Sequence, residues 1–278
     1  MAIARVRACL DGSWRPEAAE CDARTEFDMT QTIYGSLKDK TVLVTGGASG
    51  IGEAIVEAFA GQGCRVGYID LDEQAGLALQ QRLGSSTSFE RADMRDIEAL
   101  RTAIGRIREA LGPITVLVNN AARDDRHRID QVTPEYWRER FATNLDHQFF
   151  ATQAVLPDMD GAGGGVVINM GSTSYLASDD SFVAYKTAKS AVVGLTRALA
   201  RELGERNIRV NAIVPGWIMT KRQIELWLTP EGEAKLMRRQ CVKRKLVPDD
   251  VAQVALFLAS DDAAAITAQS YLVDGGWV

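Results

Sequence analysis

The chain has 278 residues, of which 46% are hydrophobic and 25% are charged, and its formal net charge is −5. These values are typical of a globular protein with a large core, and the acidic balance argues against a nucleic-acid partner. No stretch approaches the roughly 20 apolar residues of a membrane helix, and the two histidines and four cysteines are unclustered, so we expect no membrane association, no metal site and free thiols in a reducing cytoplasm.

Residues 1–32 mix basic and acidic side chains and contain no periodic apolar run. The absence of an apolar core region argues against a secretory signal, and the acidic residues argue against a transit peptide. We therefore expect residues 1–32 to form a mobile N-terminal extension and residues 33–278 to form a single folded domain.

From Thr41 onward, short β-rich runs alternate with longer helical ones. The predicted strands cover 41–44, 65–69, a run near 87–91, 115–118, 166–169, 208–213 and 271–273. Predicted helices lie between them, including a long one that begins at Thr133-Pro134 and others over about 183–203 and 248–258. This alternation predicts an α/β fold, a doubly wound parallel sheet of about seven strands with helices on both faces. The segment near 219–246 interrupts the alternation after a strand end, where we expect a lid.

A glycine-rich run, Thr45-Gly-Gly-Ala-Ser-Gly-Ile-Gly52, directly follows the first predicted strand and opens a helix. Its glycines let the backbone turn tightly and approach a pyrophosphate, and the helix N-terminus supplies free N–H groups. A glycine cluster alone is weak evidence, but its place between a strand and a helix predicts a dinucleotide site of the Rossmann type.

Asp70 ends the second predicted strand, 24 residues beyond Gly46, near the spacing of an acid that binds a ribose 2′-hydroxyl. A carboxylate there repels a 2′-phosphate, and no Arg or Lys stands immediately before Gly50 or after Asp70. The pattern therefore favours NAD over NADP. The alternative is that Asp70 merely caps the next helix.

Tyr185 and Lys189 stand four residues apart in a helical pattern and therefore share one helix face. A tyrosine with a pKa of about 10 needs a drop of roughly 2–3 units to act as a base near neutrality. One ammonium about 4 Å away supplies roughly that much at an effective dielectric of about 20. Such pairs also occur by coincidence on many surfaces, so the pair gains meaning only from the motifs around it.

Several further motifs stand in the order seen in the short-chain dehydrogenase/reductase family, which residues 37–278 resemble. These motifs are Asp93, Asn119-Asn-Ala-Ala122, Asn144, Ser172, Pro215-Gly-Trp-Ile-Met-Thr220 and Asp274-Gly-Gly276. The resemblance implies that Tyr185 is the catalytic base and that Ser172 stabilises the developing oxyanion. It also implies that Lys189 binds the nicotinamide ribose and lowers the pKa of Tyr185, and that Asn144 holds the water of a proton relay.

The same resemblance implies NAD as the cofactor and a homotetramer that forms through the long helices and the C-terminal strand. The implied cofactor-binding residues are Gly46, Ser49, Gly50, Ile51, Gly52, Asp70, Leu71, Asp93, Met94, Asn120, Ala121, Tyr185, Lys189, Pro215, Ile218 and Thr220. Within the last motif, the Ile218 backbone and the Thr220 hydroxyl are expected to hold the nicotinamide amide.

A finer resemblance links the chain to bacterial aldose 1-dehydrogenases, the D-xylose dehydrogenases among them. It rests on Asp124-Asp-Arg-His127, Thr220-Lys-Arg-Gln223, Thr229-Pro-Glu-Gly-Glu-Ala234 and Trp277. It implies hydride transfer from C1 of a pentose or related sugar to NAD, with an aldonolactone as the product. The implied substrate-binding residues are Arg123, Asp124, Asp125, Ser172, Ser174, Tyr185 and Trp217.

Three positions near the expected substrate site, Arg123, Tyr175 and Trp217, differ from the residues usual in such relatives, which leaves the identity of the sugar open. Asp124 and Asp125 also fit a solvated loop in which they cap a turn. Two other functions stay open: oxidation of another secondary alcohol, such as a sugar acid or a hydroxylated ring, and nucleotide sensing on an inactive scaffold. The second is disfavoured because all four catalytic residues are present. His147 is predicted to be a packing or polar-face residue and not a catalyst.

Overall fold

Seven parallel strands form one sheet in the order β3-β2-β1-β4-β5-β6-β7 in the computed structural model, which describes residues 32–177 and 181–278. The strands are β1 (Thr41–Thr45), β2 (Arg65–Asp70), β3 (Thr87–Arg91), β4 (Val116–Asn119), β5 (Gly165–Met170), β6 (Ile208–Pro215) and β7 (Ser270–Val273). The predicted doubly wound α/β sheet is confirmed. The expected N-terminal extension lies, except for Thr32, outside the described residues.

Helices connect the strands and cover both faces of the sheet. Within the described ranges they are α1 (Gly50–Gly61), α2 (Glu73–Leu83), α3 (Ile97–Leu111), α4 (Pro134–Phe141), α5 (His147–Gly161), α6 (Val183–Leu203), α7 (Lys221–Leu226), α8 (Pro230–Arg239) and α9 (Pro248–Ala259). No helix of this part of the chain is long and apolar enough to cross a membrane.

The central strand β1 shows why the sheet needs two helical layers. Val42 and Val44 point into one core with α1 and α9, whereas Leu43 points into a second core with α3 and α5. All three side chains are fully buried. A strand that is apolar on both faces is stable only when helices cover both faces, which is the arrangement of parallel sheets.

The helix predicted to begin at Thr133-Pro134 is not continuous. Thr133 caps α4 by accepting the Tyr136 N–H at 3.2 Å, but residues Ala142–Asp146 form a π-helical segment before α5 begins. The periodicity of the sequence does not reveal this widened turn. Such segments concentrate at functional sites, and this one contains Asn144.

The segment 219–246, expected as a lid, folds mainly into α7 and α8. It lies after β6, and an isolated bridge between Ile218 and Leu246 closes its base. Thr220 and Thr229 cap the two helices through their hydroxyl groups. Both helices therefore stand next to the carboxyl ends of the strands, where ligands bind in this class of fold.

Candidate active site

A cleft of about 1330 Å³ opens at the carboxyl edge of the sheet. It brings together all predicted cofactor-binding and substrate-binding residues, and of the predicted catalytic residues it lacks only Asn144 among its lining. The predicted residues that line it are Gly46, Ser49, Gly50, Ile51, Gly52, Asp70, Leu71, Asp93, Met94, Asn120, Ala121, Arg123, Asp124, Asp125, Ser172, Ser174, Tyr185, Lys189, Pro215, Trp217, Ile218 and Thr220. In the part of the chain that the structure describes, no group of His, Cys, Asp and Glu side chains is arranged to hold a metal ion.

The glycine-rich turn between β1 and α1 forms a cradle that only glycine permits. A Cβ atom at Gly52 would lie 1.9 Å from the Gly46 carbonyl oxygen, and Gly46 itself has a φ of +65°. Ser49, at the start of α1, makes no side-chain capping bond within the described residues. The first residues of this 12-residue helix line the cleft, where the N–H groups of a helix N-terminus can bind a pyrophosphate. The residues present fit a dinucleotide.

Asp70 does not cap the helix that follows it. Its carboxylate accepts the N–H groups of Ala48, at 3.0 Å, and Asp72, at 3.1 Å. The cap of α2 is Asp72, which accepts the Ala75 N–H at 3.0 Å. Asp70 thus steadies the glycine-rich turn and presents its charge to the cleft.

Asp93 lies at the same end of the cleft, where Arg95 neutralises it. The Arg95 guanidinium bonds to Asp93 at 2.6 Å and to Glu139 at 2.7 Å. The hydrogen bond from Arg95 holds the pKa of Asp93 below its usual range. Arg95 is therefore engaged by two acids at this end of the cleft.

Tyr185 and Ser172 meet where α6 begins beside the end of β5. The Ser172 hydroxyl bonds to the Tyr185 hydroxyl and accepts the Ser174 N–H at 3.2 Å. Burial raises the pKa of Tyr185 above its ordinary value, and the Ser172 hydrogen bond opposes that rise only in part. Two hydroxyls are therefore held together at the floor of the cleft.

Lys189 lines the cleft beside Tyr185, one turn further along α6, and its lowering of the Tyr185 pKa stays a prediction. Its Nζ donates a hydrogen bond to the Met170 carbonyl oxygen at 2.7 Å and lies 5.9 Å from the centre of the Tyr185 ring. Burial lowers the pKa of Lys189 itself to about 7. Burial has this effect because it disfavours the charged form of an amine.

Asn144 lies behind the cleft instead of lining it. Its side chain is fully buried and bonds twice to the backbone. Its Oδ1 accepts the Arg123 N–H at 2.8 Å, and its Nδ2 donates to the Arg140 carbonyl oxygen at 2.8 Å. Asn144 therefore ties the loop after β4 to the π-helical segment.

The loop after β4 carries an ion-pair cluster centred on Asp125. Its carboxylate binds Arg123 at 2.7 Å, Arg140 at 2.9 Å and Arg222 at 3.0 Å. Burial alone would raise the pKa of Asp125, but the hydrogen bond and charge of Arg123, with the charges of Arg140 and Arg222, hold it below its usual range. Asp125 is thus largely engaged by arginines, which the sequence analysis did not foresee.

Asp124 joins the same loop to α7. Its carboxylate accepts a 2.7 Å hydrogen bond from Gln223 and lies 3.4 Å from Arg222. Gln223 in turn accepts the Trp217 indole N–H at 3.0 Å. Since Arg222 and Gln223 lie almost 100 residues beyond Asp124 in the chain, no local pattern could have predicted this connection.

Aromatic side chains form the remaining wall. The indoles of Trp217 and Trp277 stack at 6.5 Å between ring centres, and Trp217 had been predicted to line this wall. The Arg126 guanidinium lies over both the Phe182 ring, at 4.6 Å, and the Trp227 ring, at 4.7 Å. Four buried polar atoms of the lining lack a hydrogen-bond partner in the described part of the chain: Arg140 Nε, Ser174 Oγ, Trp227 Nε1 and Trp277 Nε1.

A family model described as enoyl-(acyl carrier protein) reductase matches residues 46–278. Solved structures of short-chain dehydrogenases and reductases also superpose on the chain. A 3-oxoacyl-[acyl-carrier protein] reductase from Brucella melitensis has a TM-score of 0.82 at 32% identity, with 88% of this chain and 94% of that chain covered. A 7α-hydroxysteroid dehydrogenase complexed with NADH has the same TM-score and identity over 87% of this chain and 96% of that chain. The chain belongs to the short-chain dehydrogenase/reductase family and is an oxidoreductase.

Relatives named as sugar dehydrogenases are still more similar in sequence. A protein named "Probable galactose dehydrogenase GalD" from Rhizobium meliloti is 50% identical over 247 residues, which are 87% of this chain and 96% of that protein. A D-xylose 1-dehydrogenase from Caulobacter vibrioides is 47% identical over 252 residues, which are 90% of this chain and all of that protein. The resemblance to aldose 1-dehydrogenases is thereby confirmed.

Proposed function

We propose that this chain is an NAD-dependent aldose 1-dehydrogenase that oxidises C1 of a pentose or related sugar to an aldonolactone. The observation that carries the proposal is 47–50% identity, over 87–90% of the chain, to proteins named as sugar dehydrogenases. The juxtaposition of Tyr185 and Ser172 beside the glycine cradle supports the same chemistry.

NAD supplies, when bound, the nicotinamide ring that accepts the hydride. In the proposal, the turn that contains Gly46, Gly50 and Gly52 holds the pyrophosphate and Asp70 holds the adenosine ribose. Lys189 binds the nicotinamide ribose, and the Ile218 backbone supports the amide. Thr220 is available as an acceptor there, although its hydroxyl also receives the Gln223 N–H at 3.3 Å. The charge of Asp70 and the engagement of Arg95 favour NAD over NADP.

The chain's own groups handle the proton. Tyr185 removes the proton from the C1 hydroxyl, and Ser172 donates a hydrogen bond to the oxygen as negative charge develops on it. Because burial raises the pKa of free Tyr185, we propose that cofactor and sugar must be in place before the phenol ionises. Asn144 fixes the π-helical segment, from which we expect the proton relay to lead outward.

A ring-form sugar matches the chemistry of the aromatic wall of the cleft. Its hydroxyl groups need hydrogen-bond partners, and its apolar faces pack on flat aromatic rings. Ser174, Trp227 and Trp277 each offer an unpaired polar atom, and the stacked indole of Trp217 offers a flat surface. Asp124 and Asp125 retain carboxylate lone pairs beyond those that bind Gln223 and the arginines.

A panel of substrates tests the proposal, with NADH formation followed at 340 nm. We expect pentoses such as D-xylose and L-arabinose, or a matching hexose, to be oxidised far faster than 2-butanol. A site built to bind several hydroxyls rejects an alcohol that lacks them, because its own polar groups stay unpaired. Equal rates with 2-butanol and every aldose would leave the family assignment intact and remove the sugar.

The assembly and setting of the enzyme are further parts of the proposal. We propose a homotetramer, supported by the exposed Phe149 on α5 and Leu272 on β7, which are 41% and 45% exposed. Light scattering of the purified chain tests this state. We also propose a cytoplasmic location, which the free thiols of Cys64 and Cys241 support. In the same proposal, residues 33–278 form one catalytic domain, and residues 219–246 form its lid.

A further inference from the structure

We propose that His127 is a positioning residue, which caps the helix that carries Tyr185 and Lys189 and links it to the substrate loop. The inference rests on the proposed function for its meaning, since it assigns His127 a part in placing the catalytic base. It does not depend on which alcohol is oxidised.

Helix α6 begins without a capping side chain of its own. Its N-cap residue is Phe182, whose φ of 48° and ψ of 51° lie in the left-handed region. This conformation is uncommon for a bulky residue and persists only where its surroundings enforce it. A phenylalanine cannot accept the free N–H groups of the first turn, which must find acceptors elsewhere.

His127 supplies two acceptors to this helix start. Its Nε2 accepts the Ala184 N–H at 3.2 Å, and its carbonyl oxygen accepts the Phe182 N–H at 3.0 Å. Both His127 and Ala184 are buried, so water does not replace these bonds easily. The imidazole therefore performs the role that a Ser, Thr or Asp side chain performs at other helix N-termini.

The surroundings of the ring define a single neutral tautomer. Nε2 faces an N–H donor, so it must present a lone pair. Nδ1 lies 3.0 Å from the Asp125 carbonyl oxygen and 3.0 Å from the Tyr136 hydroxyl. Because a carbonyl oxygen only accepts, Nδ1 must carry the hydrogen. The Tyr136 ring also packs edge-to-face on His127 at 5.0 Å.

The cap acts at the residue next to the catalytic tyrosine. Ala184 directly precedes Tyr185, and the Phe182 ring lies 5.5 Å from the Tyr185 ring. The guanidinium of Arg126, the residue before His127, lies over the same Phe182 ring. Loss of the cap lets the first turn of α6 move, and a small displacement of Tyr185 weakens its alignment with Ser172. Misplacement of a reacting group by about 1 Å can cost about 100-fold in rate.

Three substitutions of His127 distinguish the contribution of Nε2 from that of Nδ1. His127→Gln places a carbonyl oxygen near the position of Nε2, whereas the shorter His127→Asn places polar atoms only near Nδ1, and His127→Leu removes both. We expect kcat to fall by at least about tenfold in His127→Asn and His127→Leu, and His127→Gln to recover most of it. The Kd for NAD should change less than about twofold in all three, and the Ala184 amide should exchange its hydrogen faster in the Asn and Leu variants.

Asp96→Ala is the matched control. Asp96 caps α3 by accepting the Glu98 and Ala99 N–H groups at 3.1 and 3.0 Å, so its loss also removes a helix cap. We expect this variant to lose thermal stability, as capping losses do, but to keep kcat.

The inference would be overturned by equal kcat values for the Gln and Asn variants. It would also be overturned if kcat fell in all variants, including Asp96→Ala, in proportion to the loss of Tm, or if hydrogen exchange at the Ala184 amide stayed unchanged. If His127→Leu does not fold, the comparison of His127→Gln with His127→Asn still tests the inference. If wild-type protein oxidises no aldose, the sugar proposal fails on its own, and the exchange comparison still tests the cap.

Discussion

At the residue scale, the proposed catalytic mechanism depends most on the hydroxyl of Tyr185. Tyr185→Phe keeps the ring, and with it the 5.5 Å contact to Phe182, but removes the group that accepts the proton. We expect kcat to fall by at least about 100-fold, in line with the usual contribution of a general base, while NADH binding measured by fluorescence is unchanged. Tyr271→Phe, a change of the same kind in β7, should leave kcat unchanged. Near-native turnover in Tyr185→Phe would refute the proposed role.

Asp70 is the residue expected to set cofactor preference. Replacing Asp70 by Ser together with Leu71→Arg removes a negative charge and adds a positive one, so the ratio of kcat/KM values should shift toward NADP. Asp70 also accepts the Ala48 N–H, and Asp70→Asn keeps an acceptor there while removing only the charge. A wild-type enzyme that reduces NADP more efficiently than NAD would show that the role given to Asp70 is wrong.

His147 gives a prediction about stability and pH. It is fully buried, and burial together with the nearby charge of Lys189 lowers its pKa to about 3. Unfolded histidine has a pKa of about 6.5, so the unfolded chain binds this proton first as the pH falls. The contribution of His147 to stability is therefore present above about pH 6.5 and is lost progressively as the pH falls toward 3.

Urea unfolding at pH 7 and pH 5 measures this effect. The free energy of unfolding should fall by about 2 kcal/mol more in wild type than in His147→Gln, because one pKa unit corresponds to about 1.4 kcal/mol. Lys189, with a pKa of about 7 in the folded chain, is present in both proteins, so its own titration over this range contributes to both losses and the comparison isolates His147. Equal losses in the two proteins would mean that His147 becomes protonated without unfolding.

At the scale of elements, α7 is held to the loop after β4 by Arg222. The guanidinium bonds to Asp125 at 3.0 Å and lies 3.4 Å from Asp124, and the pairs are partly exposed. We expect Arg222→Ala to raise the KM for sugar about fivefold, with a much smaller change in kcat, because the segment 219–246 then covers the cleft less often. A contribution of about 1 kcal/mol is reasonable for exposed pairs that form a network.

Hydrogen exchange over α7 and α8 provides the second measurement for Arg222→Ala and should become faster. Lys221→Ala is the matched control, since among the described residues Lys221 forms an ion pair only with Glu225, at 3.9 Å within the same helix. High salt should bring the sugar KM of wild type toward that of Arg222→Ala. If Arg222→Ala and Lys221→Ala behave alike, the ion pairs do not hold the segment.

The elements also show what a sequence can and cannot predict. The sheet and most of its helices follow from local signals: continuous apolar runs, the Thr133-Pro134 start and the glycine-rich turn. The π-helical segment around Asn144 escaped prediction because one widened turn barely alters the apolar period. A tertiary contact accompanies it, since Asn144 accepts the Arg123 N–H from the loop after β4.

At the scale of the whole molecule, the positions of the site residues could be predicted but their electrostatics could not. Motifs at strand ends place Asp70 and Ser172 in one cleft, because parallel strands end at the same edge, and the start of α6 adds Tyr185. The pairing of Asp125 with three arginines depends on side chains from separate elements. The burial that raises the pKa of Tyr185 likewise depends on the assembled core, and spacing along a helix carries no information about either.

The central claim is that the hydride leaves C1 of an aldose, and isotopic labelling tests it most directly. D-xylose, or whichever aldose the panel shows to be the best substrate, is supplied with deuterium at C1, and the reduced cofactor and the product are analysed by mass spectrometry. We expect one deuterium in every reduced cofactor and an aldonolactone free of deuterium. A reduced cofactor without deuterium, formed while the label stays in the oxidised sugar, would show that another carbon is oxidised and would contradict the account.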